Sequence, residues 1–386
     1  MIKPSFTIPF VITLIIRFIG VILQTVAPVF ALQSLQIQPS EVGILISILW
    51  ICNGLGALFA FSIRKTNQII TAGFIILSIS LLTFAIAPKE LIFFIIAFSL
   101  AGTGAGLVQP LLAPIMHSNS GSTNPYLGIG FYSIALSIGL ILGTLVSSLI
   151  TFLSSLSVIF LIAFICSLLL LLVTSTKKVT KIPIDAVDFR DIPSIIRSGN
   201  FAKSYWLNML YSLLLPVILS YSGIYGLQRF DLHASYMFAL LGSIFIMSTI
   251  LRLLSTKLKT SYFGGIMILP SLFLLASFVI ISFSNSIVLF LIGMLMFSVP
   301  HALIYPWTTF NSFQSVEKGK TVVANYIFST SSGLSEFISP PIAALIIAKY
   351  GLTALFPSML PVCIFVIAWV MVFFVLPQMA AKRNDK

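Results

Sequence analysis

Apolar runs of about twenty residues or more alternate with short polar breaks along the whole chain. A helix rises 1.5 Å per residue and needs about 20 mainly apolar residues to cross the hydrocarbon core of a bilayer. The pattern therefore predicts an all-α integral membrane protein. Six transmembrane helices are expected over 7–32, 42–63, 67–87, 91–116, 125–150 and 154–174. Six more are expected over 203–227, 234–254, 262–282, 286–310, 321–347 and 351–376. The organisation that follows is a six-helix bundle over 1–174, a polar cytoplasmic linker over 175–202 and a second bundle over 203–386. Within the linker, Ile192, Ile195 and Ile196 recur at helical spacing after Asp191, a candidate N-cap, with Pro193 in the first turn. This predicts a short amphipathic helix; a linker without regular structure is the alternative. The apolar run after Lys3 reaches Leu32, longer than a signal peptide's core of roughly 7–15 residues, so an uncleaved first helix is expected.

The basic residues set the orientation. With both termini in the cytoplasm, 17 of the 21 Lys and Arg fall on the inner side, Arg252 counted among them. Only Lys89, Arg229 and Lys349 face out, and Arg17 lies within a span. An odd number of helices would scramble this bias, so the charges support the even count. The chain is 59% hydrophobic and 8% charged, with a mean hydropathy of +1.13. Soluble domains carry roughly 25% charged residues, so lipid is the solvent that fits. The net charge of +12 resides in short loops and offers no basic face for nucleic acid. Cys52, Cys166 and Cys363 lie inside apolar runs, without disulfide or metal spacing. Neither a nucleotide-binding loop nor a catalytic motif is present in the sequence, so no cofactor, no metal and no enzyme activity is expected.

The chain repeats itself. A shift of 195 residues lays Phe30-Ala31-Leu32-Gln33 on Tyr225-Gly226-Leu227-Gln228, and Ser40 on Ser235. A shift of 196 lays Pro110 on Pro306, Ser133 on Ser329, and Gly143-Thr144 on Ser339-Pro340. Offsets near half the chain length predict two pseudo-symmetric six-helix bundles, an architecture used by transporters.

Three segments carry a family resemblance. Residues Gly56 to Lys65 read G-A-L-F-A-F-S-I-R-K. This resembles the G-x-x-x-D-R-x-G-R-R/K loop between spans two and three of the major facilitator superfamily. Gly56, Arg64 and Lys65 are kept, whereas Ala60, Phe61 and Ile63 replace the Asp, Arg and second Gly. Phe98 to Gly106 keeps the glycines of the family's R-x-x-x-G-x-G-x-G in span four but has Phe98 at the Arg position. Gly139 to Thr144 resembles the antiporters' G-x-x-x-G-P in span five without its Pro, a pattern that leans towards export. The resemblance covers the whole chain and implies alternating access around a midplane cavity lined by spans one, four, seven and ten. The degenerate gate motif implies a different or weaker cytoplasmic gate, and Phe98 leaves proton coupling open. The same glycines also fit close helix packing alone.

Ionisable groups inside a span cost roughly 2.5–3.5 kcal/mol on insertion scales and are functional candidates by default. Arg17 lies near the middle of span one and shares a face with Thr13, Gly20, Gln24 and Pro28. It fits either an anionic substrate group or a structural ion pair. Glu336, in span eleven, shares a face with Asn325, Ser329, Ser332 and Pro340. It fits a coupling proton or a pairing with Arg17. His301 shares a face with Ser298, Tyr305 and Thr308, and fits either proton exchange or a simple hydrogen bond. Gln109, Asn208 and Tyr211 complete the expected substrate contacts. Trp206 and Trp307 fall near predicted boundaries, where an interfacial belt is the plain explanation.

The expected protein is a plasma-membrane transporter, secondary active or facilitative. Its cargo is a small organic solute, an anion or amphipathic compound, and its partners are lipid, that solute and protons. A monomer is expected. A non-transporting receptor or scaffold on the same fold is the alternative, kept open by Ala60 and Phe61.

Overall fold

The computed structural model describes residues 4–62, 66–118, 125–176, 192–255, 263–316 and 321–384. Every regular element among them is helical. Twelve helices are long and apolar enough to cross a membrane. They are α1 (Thr7–Leu35), α2 (Pro39–Ala60), α3 (Thr66–Ile86), α4 (Leu91–Ala113), α5 (Phe131–Leu153) and α6 (Leu156–Ser175). Then follow α7 (Gly199–Phe230), α8 (Ala234–Ser255), α9 (Gly265–Ser282), α10 (Ile287–Ser312), α11 (Ile327–Tyr350) and α12 (Leu352–Ala380). Hydrocarbon offers no hydrogen bonds, so each span must pair its own backbone. Buried hydroxyls obey the same rule. Thr13, Ser47 and Ser147 each donate to the carbonyl four residues back, at 2.8, 2.6 and 2.6 Å.

By packing, the chain forms two compact units: Met1–Ala186 with Leu219–Gly242, and Val187–Ile218 with Ser243–Lys386. The linker-based division places the break at 175–202. Packing groups the end of α7 and the start of α8 with the first unit, where Ser148 donates to the Ser235 carbonyl at 2.8 Å.

In the first unit, α2 and α3 both pack on α4, α3 packs on α6, and α1 on α5. Glycines allow the approach. A Cβ on Gly102 would strike the Leu49 carbonyl, and one on Gly106 the Asn53 carbonyl. Gly56 sits against the Thr103 carbonyl, and Gly139 against Leu14 and Arg17 of α1. The motif glycines are thus packing residues. Phe30, Phe84, Phe94, Phe98 and Phe160 form a ring cluster, with Phe84 and Phe160 stacked at 4.8 Å. Arg64 and Lys65 lie outside the described residues.

In the second unit, α10 and α11 pack on α7, and α9 packs on α10 and α12. The linker helix forms over Ile192–Arg197. Ile195 is buried with Phe201, Ala324, Ile327 and Phe328, whereas Ile196 is exposed. Asp191 lies outside the described residues. Trp206 is exposed, as a belt residue should be, but Trp307 is 8% exposed and meets Phe310 edge-on.

The repeat is visible in the backbone. α1 loosens into a π-helical turn at Ile22–Val26, and α7 does so at Val217–Tyr221, 195 residues later. Each turn is followed by a nine-residue helix, Ala27–Leu35 and Ser222–Phe230. Each of these helices ends on a left-handed residue, Gln36 and Asp231, both at φ 51°. In α1 the turn has a local cause: Pro28 has no N–H for the Gln24 carbonyl, and the Thr25 hydroxyl takes the Val21 carbonyl at 2.7 Å. In α7 Pro216 lies just before the turn.

The packing predicts a contrast between two glycines. Gly102→Val overpacks the α2–α4 contact and should cost about 1–3 kcal/mol, read as a lower melting temperature in detergent. Gly54→Ala meets nothing within 4 Å and should leave melting unchanged or slightly raised.

Candidate functional site

Two buried polar clusters stand out, one in each unit. In the first unit a cavity of about 240 Å³ opens between α1, α2 and α4. Gly20 and Gln24 come from α1, Trp50 and Asn53 from α2, and Gln109 from α4, with Leu23, Leu49 and Ala105 as apolar wall. Helical spacing explains the set. Residues four apart on α1 and three apart on α2 share a face, and the Gly102 and Gly106 contacts draw α4 onto that face. Gln24 and Gln109 line the cavity as expected from the sequence, whereas Arg17 is absent from its lining. Arg17 is half-buried, with its Cβ against Gly139 of α5. Trp50 and Asn53 were not anticipated. A polar Asn in mid-span with an indole three residues earlier was the available signal. A wider depression of about 330 Å³ at the α3–α4 turn is lined by Phe84, Phe93, Phe94 and Lys89, and holds none of the expected residues.

The second cluster joins α7, α8, α10 and α11. Tyr211 is buried, and its hydroxyl lies 3.0 Å from His301 Nδ1. The imidazole is clamped between Phe297, stacked at 6.2 Å, and Phe245 at 5.3 Å. Arg252 was counted with the cytoplasmic loops; that assignment is corrected here. Its Nε is shielded from solvent, and Nη2 donates to the His301 carbonyl at 3.3 Å. Arg252 and Glu336 both act electrostatically on the Tyr211 hydroxyl, and Arg252 also on Tyr305. A phenol, an imidazole, a guanidinium and a carboxylate therefore share one membrane-embedded region, the equipment for moving a proton or holding an anion. Of the expected residues, the structure brings together Tyr211, His301, Tyr305 and Glu336.

Asn208 serves a different contact. Fully buried, it donates to Ser331 at 2.7 Å and Ser332 at 2.9 Å. Ser212 donates to Ser332 at 3.1 Å, while Ser335 and Ser339 donate to the Met209 and Leu213 carbonyls at 2.6 Å each. The result is a polar seam between α7 and α11. Asn208 Oδ1 meets no donor among the described residues.

These features define a polytopic helical protein of transporter design. The chain belongs to the Major Facilitator Superfamily, whose family model matches residues 10–335. It is similar to the crystal structure of the nucleoside transporter NupG, at 14% identity and a TM-score of 0.73, over 98% of this chain and 99% of that one. A POT family transporter in complex with a thioalcohol-conjugated peptide matches at 13% identity and a TM-score of 0.73, over 96% and 95%. The human organic anion transporter MFSD10 (TETRAN) matches at 14% identity and a TM-score of 0.66, over 96% and 100%. Likeness at such identity shows the fold. A comparison with curated proteins by sequence finds no match.

The Tyr211–His301 bond gives a direct test. Tyr211→Phe keeps the ring between its neighbours and removes one neutral hydrogen bond, so melting should report a loss of about 1 kcal/mol. A fall several times larger would mean that the hydroxyl organises the whole cluster.

Proposed function

We propose that the chain carries a small organic solute across the plasma membrane by alternating access, as a monomer with both termini in the cytoplasm. The observation that supports it best is the concentration of buried polar groups on α1, α2, α4, α7, α8, α10 and α11 of an otherwise apolar molecule. A structural protein in lipid gains little from a phenol, an imidazole, a guanidinium and a carboxylate gathered below the surface, because each costs free energy to desolvate. Solute recognition belongs to Gln24, Gln109, Tyr211 and Tyr305, with Arg17 and Arg252 as the cations available to an anionic substituent. Asn208 contributes its free carbonyl. Glu336 and His301 are the groups suited to carry a coupling proton, since both approach Tyr211 and each can exist charged or neutral at accessible pH. The domains are two repeats joined through the 175–202 linker. No nucleic acid, cofactor or reaction is required.

The receptor reading has one specific observation behind it. Ala60, which stands where the family has an acidic gate residue, is buried at 1% exposure and offers no charge to a gate.

Reconstituted protein separates the two readings. With an imposed pH gradient, liposomes should accumulate a labelled solute, and a protonophore should abolish the accumulation. Glu336→Gln should lower accumulation by at least about tenfold while solute exchange without a gradient persists. Binding with no flux under any gradient favours the receptor. Gradient-insensitive flux removes proton coupling and leaves facilitated transport.

A further inference from the structure

The first-unit cavity has a chemical character that the transporter assignment does not supply. Its polar lining consists of three carboxamides, Gln24, Asn53 and Gln109, and one indole, Trp50; no ionisable side chain lines it. A carboxamide presents two N–H donors and a carbonyl acceptor, and the indole presents a donor only. Trp50 is 6% exposed, and its Nε1–H meets no acceptor among the described residues. Folding leaves that donor stripped of water and unpaired, an unfavourable state that a Phe at the same position would avoid. An incoming acceptor would relieve it.

The surroundings limit what that acceptor can be. A carboxylate desolvated here would face no cation on the lining, and burying an unpaired charge is far costlier than burying a neutral carbonyl. A purely apolar group would strand the indole N–H and all three amides. A planar group bearing a carbonyl next to an N–H satisfies them together, because its donor–acceptor edge matches the edge of a carboxamide. Space is held for it by Gly20, where a Cβ would come within 3.6 Å of Gln109 Nε2.

We infer that this cavity recognises the neutral amide-type group of the solute — a primary amide, lactam or cyclic imide — with its carbonyl on the Trp50 N–H and its edge on the carboxamides of Gln24, Asn53 and Gln109. The inference rests on the reading of the chain as a small-solute transporter and names the chemistry of one end of that solute. It assigns Trp50 and Asn53 a binding role that the motifs did not disclose.

Matched probes test it on the purified full-length chain. Nicotinamide and nicotinate differ only in amide against carboxylate; uracil and orotate differ by one added carboxylate. Thermal melting is followed as each probe is titrated. Nicotinamide or uracil should stabilise the protein at concentrations at least about tenfold below those needed of the matching acid. Trp50→Phe should need about tenfold more of the same probe while its probe-free melting temperature holds or rises, since it deletes a donor that had no partner. A tryptophan present for packing alone would show the reverse, a lower probe-free melting temperature and an unaltered probe response. Gly20→Ala places a methyl group on Gln109 at ordinary contact distance and should weaken the response without unfolding the chain. Acids that stabilise as well as the amides, silence from all four probes, or a wild-type response in both variants would overturn the inference. Liposome flux keeps the two readings apart. Amide-selective stabilisation without flux of nicotinamide or uracil defeats transport and leaves the recognition site. Flux of nicotinate or orotate with no amide response defeats the recognition site and leaves transport.

Discussion

The structure depends on one constraint: the hydrocarbon around it forms no hydrogen bonds. Backbone groups must therefore pair within each span, and the chain is helical throughout its described length. The same constraint sorts the polar side chains. Serine and threonine satisfy themselves on the carbonyl one turn back, as Thr13, Ser47 and Ser147 do, and so go unnoticed by the rest of the fold. Amides, indoles, phenols and charges are too large for that solution. They need a partner on another helix or a ligand, so they gather where helices meet. Small residues decide where helices can meet closely. Gly102 and Gly106 bring α4 onto the backbone at Leu49 and Asn53, and the neighbouring Trp50, Asn53 and Gln109 are thereby brought around one cavity. Packing and site are a single arrangement.

Duplication preserved geometry more strictly than chemistry. The π-helical turns of α1 and α7, the nine-residue helices after them and the left-handed caps at Gln36 and Asp231 keep one offset of 195 residues. The residues that produce these shapes differ. Gln24 of the first turn corresponds to Leu219, and Arg17 to Ser212. A π turn widens the helix and re-aims the side chains beyond it, and such turns concentrate at functional positions. Both copies kept the widened turn while their side chains diverged. One unit came to hold uncharged amides, the other a phenol, an imidazole and charges.

Much of this was legible in the sequence, and what was not has physical reasons. The twelve spans were readable because a bilayer demands length and apolarity, which are local properties. The repeat was readable because its offset is constant. Gln24, Gln109, Tyr211, His301 and Glu336 stood out as polar residues inside apolar runs. Trp50 did not, because an indole counts as apolar until its N–H is found without an acceptor. Asn208 looked like a cavity residue and is bound into the α7–α11 seam, because Ser331 and Ser332 approach it only through tertiary packing across 123 and 124 residues of sequence. The glycines of the family motifs could be assigned to packing only once the carbonyls opposite them were known.

Arg252 carries the most instructive difference. At the end of an apolar run, a basic residue reads as a loop charge that helps to orient the helix. Its stem is long enough to return the guanidinium into the bundle, where Nη2 reaches the His301 carbonyl. Removing it from the loop count leaves sixteen basic residues against three, so the charge asymmetry never required it. It is therefore a dispensable contributor to orientation and a specific contributor to the cluster. A cation beside the Tyr211 hydroxyl favours the charged form of Glu336, and a proton taken up there must be accommodated against that field. Arg252 thus sets the electrostatic environment in which Glu336 and His301 work, although its position in the sequence reads as belonging to the membrane surface.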